Sequence, residues 1–324
     1  MNKRKLGKTN LQVSEIGYGA WGIGNSGWRG ADDRESIRAL NRAIELGVNF
    51  IDTALAYGDG HSERLVGQVV REQSQTIHVA SKIPPANRQW PARSGVPASA
   101  TFSAAHVIQS TETSLQNLGL DTIDVQQFHV WSDEWVNQGD WMEGVRKLKE
   151  QGKIRFFGVS INDHQPANAI RLIETGLVDT VQVIYNLFDQ SPEDELFPAC
   201  LKHDIGVIVR VALDEGGLTG KITPDAIFPE DDFRQRYFAG DRKRAVYERV
   251  QAITADLGVG MEQAAEIALR YTLSHSAVST VIPGMRTVAN VERNCALGDG
   301  RGLPQEQVKK LKAHRWIRNF YQGD

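Results

Sequence analysis

Eight times along this chain a short apolar run alternates with segments of helical periodicity, and few folds can absorb that rhythm. The apolar runs are Glu15–Gly19, Asn49–Thr53, Ile77–Lys82, Ile123–His129, Arg155–Ser160, Thr180–Tyr185, Gly206–Val211 and Ser279–Pro283. They are short and nearly continuous in apolar character, as strands buried on both faces are. Between them, Asp33–Leu46 carries Ile37, Leu40 and Ile44 at helical spacing and stops at Gly47. Ser62–Arg71 sets Leu65, Val66 and Val69 on one face, with Ser62 as its expected N-cap. Ala104–Leu118, Trp141–Gln151 and Gln165–Glu174 end at or near glycines, and Pro192–His203 precedes Gly206. Tyr247–Leu257, Glu262–Leu273 and Thr287–Ala296 complete the helical set.

This alternation predicts an α/β chain whose parallel sheet closes into a (β/α)8 TIM barrel. Ahead of it, Lys3–Leu6 and Leu11–Val13 flank Gly7-Lys8-Thr9-Asn10 and predict a β-hairpin capping one end. No Pro/Ser-rich linker interrupts the chain, so residues 1–324 are expected to form one domain. Its 41% hydrophobic content is ample for the core of a barrel this long. Two connections, Pro84–Ser103 and Asp214–Asp241, are long enough to suggest function. The tail Pro304–Tyr321 reads as a basic amphipathic helix, with Val308, Leu311 and Trp316 packing back on the barrel. Extra C-terminal helices of this kind do not alter the fold class.

A net charge of −3 gives no electrostatic case for nucleic acid. Two cysteines, Cys200 and Cys295, cannot build a disulfide framework and suit a reducing compartment as buried thiols. The opening M-N-K-R-K-L-G-K lacks the apolar segment of a signal peptide, and no run of 18 apolar residues exists. The expectation is a cytoplasmic monomer or small homo-oligomer, with no membrane or nucleic-acid partner.

Barrel active sites gather at the carboxyl ends of the strands. Those ends carry Asp52, with Tyr57 entering the loop Tyr57-Gly58-Asp59-Gly60, then Lys82, His129, Ser160, Gln182, Asn186 and Arg286. Taken singly, each residue has an ordinary structural reading: a turn cap, a loop aromatic, a surface cation, a core histidine. Projected onto one rim, Asp52, Tyr57, Lys82 and His129 make a proton-transfer site without a nucleophile. An ammonium beside a phenol favours phenolate and is expected to lower its pKa from about 10. Such a tyrosine exchanges a proton with an alcohol or carbonyl oxygen. Asp52 would orient Lys82, and His129 would donate to or orient the carbonyl. That chemistry suits redox at a carbonyl carbon. No H-E-x-x-H or paired cysteine spacing exists, so no metal is expected.

Two glycine motifs are decoys. Gly17-Tyr18-Gly19-Ala20-Trp21-Gly22 matches G-x-G-x-x-G, but further glycines follow where a Rossmann helix must start, each costing about 1 kcal/mol against alanine. Gly216–Lys221 lacks the upstream glycine of a P-loop and has Ile222 where Ser or Thr is required.

With these residues assembled, the sequence resembles the aldo-keto reductase superfamily. The matching segments are L-G-K-T-N-L-Q-V-S-E-I-G-Y-G-A-W-G, G-V-N-F-I-D-T-A-L-A-Y-G, S-E-R-L-V-G, the strand ends S-K and F-H, G-V-S and I-P-G-M-R-T. They run through nearly the whole chain in the family's order. The resemblance implies Tyr57 as general acid, tuned by Lys82 and Asp52, with His129 orienting the carbonyl. It implies an extended NADPH (NADP+) and hydride transfer without metal or flavin. By the same carry-over, the cofactor set is Gly19, Ala20, Trp21, Asp52, Ser160, Gln182, Arg210, Leu213, Glu215, Gly216, Leu218, Arg286, Asn290 and Asn294. Ser160 and Gln182 match positions that hold the carboxamide, Leu213 to Leu218 the loop over the pyrophosphate, and Arg286, Asn290 and Asn294 the adenosine-phosphate end. A guanidinium at Arg286 suits a 2′-phosphate, which favours NADPH over NADH.

Two departures stand out. The family often has Asn directly after the serine, whereas here Ile161 intervenes before Asn162. Strand seven usually ends in an aromatic that stacks on nicotinamide, whereas here Arg210 takes that place. That cation would favour the reduced cofactor or contact an anionic substrate. The substrate pocket is expected to comprise Trp21, Tyr57, Trp90, His129 and Trp131, walls that suit sugars, aryl aldehydes or quinones alike. The main expectation is an NADPH-dependent enzyme reducing an aldehyde or ketone. The alternatives are an NAD(P)-dependent sugar or alcohol dehydrogenase working oxidatively, a channel-β-type nucleotide-binding regulatory subunit, and a metal-free barrel isomerase.

Overall fold

In the computed structural model, which describes residues 1–319, all eight expected strands form. After the hairpin strands β1 (Lys3–Lys5) and β2 (Gln12–Ser14) come β3 (Tyr18–Gly19), β4 (Phe50–Asp52), β5 (His78–Ile83) and β6 (Ile123–Phe128). The sheet continues with β7 (Ile154–Ser160), β8 (Thr180–Ile184), β9 (Gly206–Arg210) and β10 (Val278–Val281). Strands β3 to β10 pair in parallel in chain order. Parallel bridges Ile16↔Val281 and Gly19↔Gly284 join the first strand to the last and close the barrel.

The outer layer comprises α1 (Asp33–Glu45), α2 (His61–Arg71), α3 (Ala98–Thr101), α4 (Ala104–Leu118), α5 (Trp141–Glu150) and α6 (Ile170–Glu174). It is completed by α7 (Leu196–Lys202), α8 (Phe233–Tyr237), α9 (Arg242–Leu257), α10 (Ala264–Leu273), α11 (Val288–Cys295) and α12 (Gln305–Leu311). Several bounds differ from the sequence expectation. α6 and α7 are shorter, because turns occupy the start of each segment. α9 starts earlier, at Arg242, and α3 and α8 lie inside the two long connections. Ser62 does not cap α2: Gly60, at φ +76°, holds that position. Ser62 is buried in the first turn, donating to the Ala20 carbonyl and bonded to Thr53 Oγ1. The tail helix is short, and Trp316 packs against Phe188 at 5.3 Å. The last expected tail residues, 320 and 321, lie outside the described ones.

The hairpin plugs the amino-terminal end of the barrel. Leu6, Leu11 and Val13 pack with Phe50, Ala80, Val125, Ile208 and Ile282 in one buried cluster. A larger apolar layer lies between sheet and helices. Both cysteines are buried there, and burial pushes their thiols up, Cys200 to about 12 and Cys295 to about 11. Among the described residues no helix is long and apolar enough to cross a membrane. The Gly17–Gly22 motif opens no α-helix: Trp21–Gly24 is a single 3-10 turn.

Candidate active site

Successive side chains of a strand face opposite sides, so every second residue points into the barrel. Along β4 that row ends in Asp52, along β5 in Lys82, along β6 in Gln127 and then His129. These side chains meet at the carboxyl rim. An ammonium has three N–H donors, and Lys82 Nζ places them on Asp52 Oδ2 at 2.5 Å, the Thr53 carbonyl at 2.8 Å and Tyr57 Oη at 3.0 Å. Lys82 has no solvent exposure. Asp52 Oδ1 accepts from Gln182 Nε2 at 2.7 Å and Gln127 Nε2 at 3.2 Å. Both carboxylate oxygens are therefore satisfied, as a buried charge requires.

Burial works to lower the Lys82 pKa, but Asp52 and Tyr57 together hold it above its usual value. The phenol departs from the sequence expectation. Burial raises the Tyr57 pKa above its usual value by more than the Lys82 ammonium lowers it. Tyr57 is thus a neutral phenol near pH 7, with a proton to give. Burial, then Lys82 and Arg210, push His129 well below its usual value, so its ring is neutral too. The Tyr57 and His129 rings stand edge-on with centroids 5.6 Å apart.

These residues open onto a groove of about 1070 Å³, at the upper edge of the roughly 300–1,000 Å³ usual for small-molecule clefts. Asp52, Tyr57, Trp90, His129, Ser160, Gln182 and Arg210 line it. Arg286, Asn290, Arg293 and Asn294, from the segment after β10, line it too. Gly19, Trp21, Leu213, Glu215 and Gly216 also line it.

Three expected contacts fail. Trp131 does not line the groove: it is fully buried outside the sheet, against Phe128, Trp135 and Trp141. The chain turns after His129, and this large ring is taken into the layer beneath the helices, its N–H met by Asp133. Ala20 is also fully buried, its N–H bonded to the Asp52 carbonyl and its own carbonyl to Ser62. Leu218 turns into the core at 1% exposure, while Thr219 and Gly220 face the groove. Asn186 braces a turn by donating to the Val211 carbonyl at 2.9 Å.

Arg210 is drawn aside as well as forward. Its Nη2 donates to the Ile161 carbonyl at 2.8 Å and to Asp163 Oδ1 at 2.5 Å, so its charge is paired. Beyond it the backbone is strained: Val211, Asp214 and Glu215 have φ of +55°, +49° and +52°. A β-branched residue there is a genuine outlier, and such strain persists only where surroundings enforce it. Here they do. Tyr237 and Arg242 both donate to Asp214 Oδ1, at 2.5 and 2.9 Å, and Tyr237 and Arg242 belong to the second long connection and the helix after it. Across the groove, the Phe233 N–H donates to the Gly27 carbonyl at 2.6 Å, and Arg234 and Arg286 lie 4.1 and 5.2 Å from the Trp28 ring.

Sequence reasoning missed Gln127, Asp163, Trp28 and Arg293. Gln127 was findable, because it shares the inward row of β6 with Val125 and His129. Trp28 and Asp163 sit in irregular loops, where no periodicity points to them.

Fold and rim together define a (β/α)8 barrel carrying a carboxylate–ammonium–phenol chain at its carboxyl end. The Aldo/keto reductase family model matches residues 15–315, and the chain belongs to that family of oxidoreductases. An oxidoreductase of Bacillus subtilis is 28% identical over 317 residues, spanning 97% of this chain and 96% of its own. An NADH-specific methylglyoxal reductase of Escherichia coli is 32% identical over 241 residues, 70% of this chain and 72% of its own. Among solved structures, the holo form of an aldo-keto reductase from Bacillus halodurans superposes with a TM-score of 0.77 at 25% identity, covering 99% of both chains.

Proposed function

We propose that this chain, one barrel domain over residues 1–324, is an NADPH-dependent reductase converting an aldehyde or ketone to an alcohol, with Tyr57 as proton donor. The observation that carries this reading is the fully bonded Asp52–Lys82–Tyr57 chain opening onto the groove. When bound, NADPH supplies a hydride to the carbonyl carbon. Tyr57 Oη then gives its proton to the carbonyl oxygen as negative charge develops there. The phenolate left behind accepts from the Lys82 ammonium, whose other two donors stay on Asp52 and Thr53. A phenol that is protonated across physiological pH suits this direction, and the cation lowers the cost of deprotonating it once the carbonyl oxygen needs a proton. Neutral His129 can donate an N–H to the same oxygen without carrying the transferred proton.

The volume of the groove and the polar residues that line it support a dinucleotide there. Ser160 and Gln182 would hold the carboxamide. Arg286 and Arg293 would hold phosphate, and a planar guanidinium suits a 2′-phosphate. The E. coli relative is named for NADH, so the preference for NADPH rests on those two arginines. Fluorescence titration with NADPH and NADH, followed by a carbonyl panel, tests this reading. Tyr57→Phe is expected to lower kcat by about 10²–10⁴ while NADPH still binds. Turnover retained by Tyr57→Phe removes Tyr57 as the donor, and failure of both nucleotides to bind removes the enzymatic reading.

A further inference from the structure

Asn162 lies just past the carboxyl end of β7, two residues after Ser160, and is only 5% exposed. Its amide is engaged with the backbone of another loop. Nδ2 donates to the Ala92 carbonyl at 3.1 Å, and the Ala92 N–H donates back to Oδ1 at 3.1 Å. Nδ2 also meets Gln165 Oε1 at 3.1 Å. Two opposed bonds from one planar amide to a single residue imitate a strand pair, fixing both the position and the rotation of that residue's peptide groups. Ala92 stands two residues after Trp90, whose ring meets His129 edge-on at 5.6 Å and 89°. Trp90 is 41% exposed, so burial alone does not hold it. The remainder of the loop is tied elsewhere. Asn87 bonds Thr101, Ser94 and Gly95 bond Glu134, and the Val96 carbonyl accepts from Trp135. Trp90 and Asn162 both line the groove.

We infer that Asn162 is a positioning residue for the substrate pocket: by clamping Ala92 it holds Trp90 as the wall beside His129, and so favours flat aromatic aldehydes over small aliphatic ones. This rests on Tyr57 and His129 marking the carbonyl site. An indole held at a fixed angle offers an aryl substrate an offset or edge-on contact that a small aliphatic one cannot use. Preordering that wall spares the substrate the entropy of arranging it. The other ties keep the loop folded when the clamp is lost, so the effect should be local.

The test has two arms. The first needs no turnover. Arg88 and Arg93 are exposed trypsin sites on either side of Trp90. Asn162→Ala should speed cleavage at these two sites about tenfold, a local opening, with little change in melting temperature. Unchanged cleavage overturns the clamp. The second arm measures kcat/KM for benzaldehyde against propanal with NADPH. Asn162→Ala and Trp90→Ala should each lower that ratio about tenfold, and the double variant should fall no further than either alone. A ratio lowered by Trp90→Ala but not by Asn162→Ala overturns the link between the two residues. A wild-type enzyme that turns over neither aldehyde overturns the selectivity, while the cleavage arm still judges the clamp and the carbonyl panel still judges the functional reading.

Discussion

The same strands build the two ends of this barrel from opposite chemistry. At the amino end, Phe50, Ala80, Val125 and Ile208 meet the apolar face of the hairpin. One repeat further along the same inward rows stand Asp52, Lys82, Gln127 and Arg210. A two-residue step on a strand is about 6.6 Å. Over that distance the interior passes from a dry plug to a buried ion pair. The plug excludes water from beneath Lys82, so each hydrogen bond above it is stronger in place and costlier to leave unmade. The lower layer supplies stability; the upper layer spends some of it on a charge arrangement that packing alone would not choose.

Paired substitutions can break that division. Lys82→Met removes the cation and leaves Asp52 buried with only two amide donors. Stranding a buried charge costs about 3–5 kcal/mol. Phe50→Ala, one layer down, should cost a similar 3–5 kcal/mol through its cavity. Urea denaturation should therefore rank the two variants alike, while NADPH-linked turnover per folded molecule should vanish only in Lys82→Met. Turnover lost in Phe50→Ala, or kept in Lys82→Met, would mean the layers are not separable.

A pH-dependent effect belongs to the strained rim. Burial pushes the Glu215 carboxyl up to about 8, with Asp214 and Asp163 adding to the rise and Arg210 opposing it. An acid whose folded pKa lies above its unfolded value of about 4.3 binds more protons when folded. Its stabilising contribution is full below the unfolded value and is lost as pH rises through the folded one. The difference in urea midpoint between wild type and Glu215→Gln should therefore move against wild type from pH 5 to pH 9. A difference that stays flat over that interval would place Glu215 in an ordinary solvated setting.

The layer contrast also explains what the sequence reveals. The inward rows obey a period of two, so Asp52, Lys82 and His129 could be placed on one rim from strand ends alone, and Gln127 could have been. Tyr57 lies off the strands but follows Asp52 closely enough to share its end. What escaped reading is set by neighbours distant in the chain. Trp131 looks like a pocket wall in sequence, yet three aromatic neighbours hold it beneath the helices. Arg210 looks like a free cation facing the cofactor, until Asp163 is found beside it. The phenol's pKa turned on burial, a quantity no motif carries. Ser62 sits at a reasonable capping position, but Gly60 reaches the left-handed backbone at lower cost and takes it.

The finest probe of the plug is Ile208→Val. Ile208 is fully buried in the lower layer, on β9 two residues before Arg210. Removing one methylene should cost about 0.5–1.5 kcal/mol. If the plug acts only as a sealed floor, kcat/KM should not change, because the loss leaves a void too small to admit water to Lys82. If instead the layer sets the height of the polar rim, β9 should relax inward and carry Arg210 with it. The Arg210–Asp163 pair, at 2.5 Å, would then loosen, and the affinities for NADP+ and NADPH would shift relative to each other. A changed affinity ratio at a stability cost this small would show that floor and rim are mechanically coupled through a single strand.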